Sequence, residues 1–341
     1  MHLDDARTLK RRLTERARDL ADARGLARPS TFGRGGVTSE DVIGAPTLAV
    51  GVSVHPGGYG IAVRYRSDEP QSREVADELA RDAGPEVDVR RTGRILSLGH
   101  GWAGTPLPVE AAQGETGRVR PLRPGVSIAH VDVTAGTLGA FVTRGEGEVF
   151  ALSNWHVLAG SPSAQVGDVI VQPGPADGGA APQDRIGTLA DLVPLRPEQA
   201  ATVDAAVALL DEPEVDPTYP VGVVTTAEAV VGGEQVGKIG RTTAETAGRV
   251  SAIELDDVVV DYGDLGPLSF DDQIEIESTG AGPFSRGGDS GSLVYREDGV
   301  ALGLLFAGSE TGGPDGTGLT YANPLPSVLE ALGVRLAAPA R

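Results

Sequence analysis

From Val126 onward the chain is a succession of short apolar runs: LGAFVTR, VFALSNWHVLA, DAAVALL, QVGKIGR, DDVVVDY, DQIEIES, GSLVYRE and VALGLLFAGS. Gly, Pro and Asp turns separate them at even intervals, a texture that predicts a β-sandwich or β-barrel. The 48 glycines and 24 prolines among 341 residues supply the turns so many strands need. At 40% hydrophobic the chain can bury a proper core. It has no cysteine, so that core must hold the fold without disulfides.

The first 125 residues read differently. Residues 3 to 24 predict a helix, with Leu9, Leu13, Ala17 and Leu20 on one stripe and Gly25 and Pro29 to stop it. Such a stripe packs on its own domain or on another subunit. PTLAVGVSV and GIAVRYRS predict two strands joined through HPGGY, followed by a helix, QSREVADELARDA, and a strand near VDVRRTG. We read this as a small N-terminal α+β appendage, and residues 100 to 125, rich in Gly, Pro and charge, as a linker. The expected division is therefore 1–125, a regulatory, assembly or buttressing region that suits a homo-oligomer or a regulatory partner, and 126–341. A short helix, SVLEALGV, is expected after Asn323-Pro324.

The net charge of −19 argues against nucleic acid, whose phosphates need clustered Lys and Arg. Arginines concentrate between Arg7 and Arg123, which marks either a solvated surface, the reading we prefer, or two electrostatically different parts. The opening MHLDDARTLKRRLTERARDL has none of the apolar character of a signal peptide, and no run approaches the ~18 apolar residues of a membrane span. A cytoplasmic protein without membrane contact is the expectation.

The strongest chemical signal is Gly287-Gly288-Asp289-Ser290-Gly291-Ser292-Leu293-Val294. A serine hydroxyl is a poor nucleophile and needs a base and a site that stabilises an oxyanion. Glycines around Ser290 let the backbone turn so that successive N–H groups point into one volume. Of five histidines, His2 is terminal, His55 lies in a Gly-Pro turn, His100 in the linker and His130 near the start of the β region. His156 alone ends an apolar strand (Ala151-Leu152-Ser153-Asn154-Trp155-His156) that runs into a small-residue turn. A strand-end histidine is usually structural, but the GDSG motif makes it the candidate base. The third member must be a carboxylate that fixes the histidine tautomer. Asp204 precedes the apolar strand AAVAL, where an unpaired carboxylate would be costly. Asp168 and Asp191, in turn-like surroundings, are weaker candidates.

The order His156, Asp204, Ser290 resembles the chymotrypsin-like (trypsin-fold) serine peptidases over roughly residues 126 to 335. Within them the chain is most similar to a cysteine-free group of bacteria and plants that includes the NARROW LEAF proteins. The segments that carry this closer likeness are TAGTLG at 134–139, LSNWHVLA at 152–159, KIGRTT at 238–243 and LLFAGS at 304–309. The resemblance implies a mainly β fold of two six-stranded barrels, with His156 and Asp204 from the first and Ser290 from the second. It implies peptide hydrolysis through an acyl-enzyme, with Ser290 as nucleophile, His156 as base then acid, and Asp204 as orienter. The N–H groups of Gly288 and Ser290 would form the oxyanion hole, with no metal or cofactor and a protein or peptide as substrate. Phe284 would lie at the base of the specificity pocket, lined further by Phe306, Ala307 and Gly308. No acid sits there, which disfavours Lys or Arg before the scissile bond. The chain departs from the family in having no Ile-Val-Gly-Gly-like segment whose freed N-terminus could pair with Asp289. Trp155 either covers the histidine or is a plain core aromatic.

GGEQVGKI at 232–239 nearly fits a phosphate-binding loop, but Ile239 stands where Ser or Thr would reach magnesium, and its neighbours read as strand. Two other functions fit the same residues: a catalytically silent scaffold with a collapsed oxyanion hole, and an esterase-like hydrolase.

Overall fold

In the computed structural model, the structure describes residues 1–23, 48–68, 70–97, 112–145, 147–197 and 199–338. The first part of the expected linker, residues 100–111 with His100, lies outside the described residues. Among the described residues no helix is long and apolar enough to cross a membrane.

The C-terminal strands close on themselves. Leu293–Tyr295 pairs with Gln235–Gly240, which pairs with Ala244–Asp256, then Gln273–Ser278, Gly318–Pro324 and Val300–Gly312, which returns to Leu293–Tyr295. This is one closed six-stranded barrel. The preceding half does not close. Its eight strands run in the order Arg335–Leu336, Ala140–Thr143, Phe150–Ser153, Ala206–Leu210, Arg185–Leu192, Val169–Val171, Ser127–His130 and Gly136–Thr137. Among the described residues no ladder joins the last of these to the first. The expectation of two six-stranded barrels is thus corrected to one closed barrel and an open eight-stranded half-barrel. Apolar runs announce strands but not their partners, and strand pairing is what decides closure.

The N-terminal elements match their predicted types. Helix Leu3–Ala23 buries Ala6, Leu13, Ala17 and Leu20, while Leu9 is only partly covered. That stripe packs within the chain, on the hairpin Leu48–His55/Gly58–Tyr65 and on helix Pro70–Ala83. The helix then returns the chain to strand Val87–Arg91, parallel to Gly58–Tyr65. These strands extend the barrel sheet, because Leu48–His55 pairs antiparallel with Ala244–Asp256. Together with the strands Ile95–Ser97, Thr226–Ala227, Val258–Asp261 and Pro267–Phe270 they bring that sheet to thirteen strands.

A buried ion pair rivets this joint. Arg64, fully buried, meets the equally buried Glu275 through Nε–Oε2 at 2.7 Å and Nη2–Oε1 at 2.8 Å. It also donates to the Asp88 carboxylate at 2.8 Å and the Asp88 carbonyl at 2.7 Å. Glu275 sits on barrel strand Gln273–Ser278, so the N-terminal hairpin satisfies a charge inside the barrel wall. Removing one partner of such a pair leaves a desolvated charge, whereas removing both is tolerated far better. Arg64→Met should therefore cost about 3–5 kcal/mol in urea unfolding, and adding Glu275→Leu should return most of that loss.

Candidate active site

Strand register brings the histidine and the aspartate together. Phe150–Ser153 pairs antiparallel with Ala206–Leu210, with Ser153 opposite Ala206. The chain leaving the first strand and the chain entering the second therefore emerge side by side. His156 lies three residues past that end, on the short helix Trp155–Leu158, and Asp204 two residues before the other. The Asn154 side chain clasps the two, donating from Nδ2 to the Asp204 carbonyl at 2.8 Å.

His156 and Asp204 are fully buried. His156 Nδ1 hydrogen-bonds Asp204 Oδ2, and the His156 backbone N–H reaches Oδ1 at 3.3 Å. Tyr262, at the end of strand Val258–Asp261, donates its hydroxyl to the same Oδ2 at 2.5 Å. Burial and the Asp204 charge hold the Tyr262 pKa well above the usual phenol range, so the hydroxyl keeps its proton and remains a donor. Its ring meets the imidazole edge-on at 5.8 Å and stacks on Phe270 at 5.7 Å. Behind the carboxylate, the Asp204 N–H donates to Asn323 Oδ1 at 2.9 Å, and Asn323 Nδ2 donates to Gln273 Oε1 at 2.7 Å. The acid's loop is thereby pinned to the barrel.

Ser290 sits in the Gly287–Gly291 turn, where Gly288 and Gly291 take positive φ of 95° and 91°. A Cβ on Gly291 would strike Ser153 Oγ and the Thr137 carbonyl, so only glycine fits. Thr137, from the open half, grips this turn: its N–H donates to the Ser290 carbonyl and its hydroxyl to the Gly288 carbonyl, both at 2.8 Å. Among the described residues neither the Gly288 nor the Ser290 N–H donates a hydrogen bond within the protein, as donors kept for an oxyanion require. The serine–histidine bond is not made. Ser290 Oγ donates to the Phe306 carbonyl at 3.5 Å, and His156 Nε2 is buried without a hydrogen-bond partner.

Asp289 has a partner that sequence reading missed. Its Oδ1 accepts the Thr242 and Thr243 N–H groups at 2.8 and 3.1 Å. Its Oδ2 accepts the Thr243 hydroxyl at 2.7 Å and the Arg286 N–H at 2.9 Å. Lys238 Nζ lies 3.6 Å from Oδ2, both groups fully buried. Burial lowers the Lys238 pKa from the ordinary lysine range, and the Asp289 charge opposes that shift. Lys238 thus sets a buried cation beside Asp289 from within the barrel. Period-two alternation in QVGKIG carried the signal, since Val236, Lys238 and Gly240 share the buried face. The same strand, hairpin-paired with Ala244–Asp256, excludes a phosphate loop.

The other candidates disperse. Asp168 faces His130 Nε2 at 3.3 Å, and Asp191 pairs with Arg144. Trp155 is buried in the main core. Phe284 lies in the barrel interior, whereas Phe306 and Ala307 belong to the main core, with Phe306 4.8 Å from Phe270. Gly308 is partly exposed. Phe284 and Phe306 therefore occupy separate apolar clusters.

No protein-family model matches the chain, and no curated protein does. Among solved structures it is similar to distant bacterial serine proteases. Thermobifida fusca protease A is 18% identical, with a TM-score of 0.45, over 64% of this chain and 98% of the other. Nocardiopsis protease is 17% identical, with a TM-score of 0.46, over 64% and 99%. Cellulomonas bogoriensis chymotrypsin is 19% identical, with a TM-score of 0.42, over 63% and 98%.

Lys238 is open to a direct check. Lys238→Met strands the Asp289 carboxylate and should cost about 3–5 kcal/mol in urea unfolding. Asp289→Asn in the same chain should recover much of it, because the buried charge is then gone.

Proposed function

We propose that this protein is a serine endopeptidase that cleaves peptide bonds through an acyl-enzyme on Ser290. The observation that carries the reading is the buried His156–Asp204 pair, its carboxylate held by three donors, in a chain whose glycine turn presents Ser290 with two unengaged N–H groups. Asp204 accepting at Nδ1 leaves the His156 Nε2 lone pair as the base, the role a general base for serine requires. Ser290 Oγ attacks the scissile carbonyl while its proton passes to Nε2. The Gly288 and Ser290 N–H groups take the oxyanion, and the imidazolium then protonates the leaving amine. Water repeats the sequence on the ester. Within this class, the four segments quoted above support a likeness to the cysteine-free bacterial and plant group.

One observation favours the silent-scaffold reading: Ser290 bonds the Phe306 carbonyl and not His156. Unliganded sites are often loose in this bond, so reactivity must decide. A fluorophosphonate should label Ser290 of the wild-type chain and not Ser290→Ala, and a quenched peptide library should be cleaved. Failure to label sinks the peptidase and the esterase readings together, while labelling without peptide cleavage leaves the esterase. Asp204→Asn should fold yet lose on the order of 10⁴ in kcat, through the wrong histidine tautomer. Its rate should be measured beside its urea midpoint.

A further inference from the structure

One edge of strand Val300–Gly312 carries the nucleophile and then something else. Leu304 pairs with Leu293. At the next position the Leu305 N–H donates to the Ser292 carbonyl and the Leu305 carbonyl accepts the Gly291 N–H. The Phe306 carbonyl then accepts Ser290 Oγ. Beyond that point the edge is taken by the chain's own Ile95–Ser97, antiparallel, with Ser97 opposite Ala307, Leu96 opposite Gly308 and Ile95 opposite Ser309. Strand Gly318–Pro324 holds the other edge at Ala307 and Gly308. The first pairing position past the serine is therefore occupied by Ser97, and the inserted strand runs toward Ser290.

An extended peptide recognised by its backbone adds as a strand to an open sheet edge. To place a carbonyl at Ser290, such a peptide must lie along this one. We infer that Ile95–Ser97 is a built-in occupant of the peptide-binding edge, and that a protein substrate in extended conformation binds only when this strand is displaced. The inference rests on Ser290 being the nucleophile. The seam is suited to opening, because buried polar atoms without partners gather along it: Ser97 Oγ, Asp261 Oδ2 and the three guanidinium nitrogens of Arg66. Leu96 bridges to Asp261 on the far side of the same strand, and Arg66 lies within electrostatic range of Asp261. Unsatisfied buried groups weaken the packing that holds them.

The absence of cysteine allows a clean lock. Ile95→Cys with Ser309→Cys places two thiols at directly opposed positions, a spacing a disulfide can span. In the full chain, oxidation should abolish at least about nine-tenths of peptide-library hydrolysis, since only the displaced population takes substrate, and reduction should restore it. Equal hydrolysis by both redox forms would overturn the inference. Fluorophosphonate labelling of the reduced form reports Ser290 separately. If Ser290 is unreactive there, the peptidase reading falls, and amide exchange still decides the strand. The amides of Ile95–Ser97 should exchange at least about tenfold faster than those of Gln235–Gly240 through local opening. Exchange no faster than that barrel strand would show a fixed structural element.

Discussion

A carboxylate with no exposed surface must be fully satisfied, and the candidate site is arranged around that requirement at Asp204. Its donors come from separate parts of the chain: His156 from the open half, and Tyr262 from the end of a strand in the barrel sheet. Asn323, from a barrel strand, binds the Asp204 backbone. Leaving a charged group buried and unpaired costs several kcal/mol, so the two halves must meet in one relative position. Thr137 repeats the principle with neutral groups, bridging from the open half to the Ser290 turn. The site therefore organises the interface between the halves as much as the halves organise the site.

The second buried charge, Asp289, sets the shape of the Ser290 turn. Two backbone N–H groups, a threonine hydroxyl and the Arg286 N–H fix its oxygens, and Lys238 balances the charge from inside the barrel. With its carboxylate held there, the Gly288 and Ser290 N–H groups make no hydrogen bond among the described residues. The organising cation is thus part of a barrel strand, and assembling the barrel assembles it.

Local features were legible in the sequence wherever chemistry or periodicity is local. GDSG, the strand-end His156 and the Asp204 before AAVAL could be read from residue types alone. So could the N-terminal helix and the hairpin, from their periods. What stayed hidden depends on pairing across long separations. The open half-barrel was unreadable because strand runs do not name their neighbours. Tyr262 was missed because DDVVVDY says only that a strand ends there, and its meeting with Asp204, 58 residues away, exists only in the folded chain. The N-terminal unit read as an appendage, yet Arg64 answers Glu275 across 211 residues. Lys238 is the one functional side chain whose signal was present and passed over, since a lysine on the apolar face of an alternating strand asks for a buried anion.

The position of Ile95–Ser97 connects these observations. On one side it pairs with Ala307–Ser309, immediately after the Phe306 carbonyl that holds the Ser290 hydroxyl. On the other, Leu96 pairs with Asp261, the residue before Tyr262, which donates to Asp204. The inserted strand thus touches the backbones that position the acceptor of the Ser290 hydroxyl and the donor to Asp204. With it in place, Ser290 is turned to Phe306 and His156 Nε2 is without a partner. A shift of either neighbouring strand on its departure acts directly on the Ser290 hydroxyl or on the Tyr262–Asp204 bond. The displacement inferred above would release the backbones next to both Phe306 and Tyr262 at once, because the same short strand pairs with each.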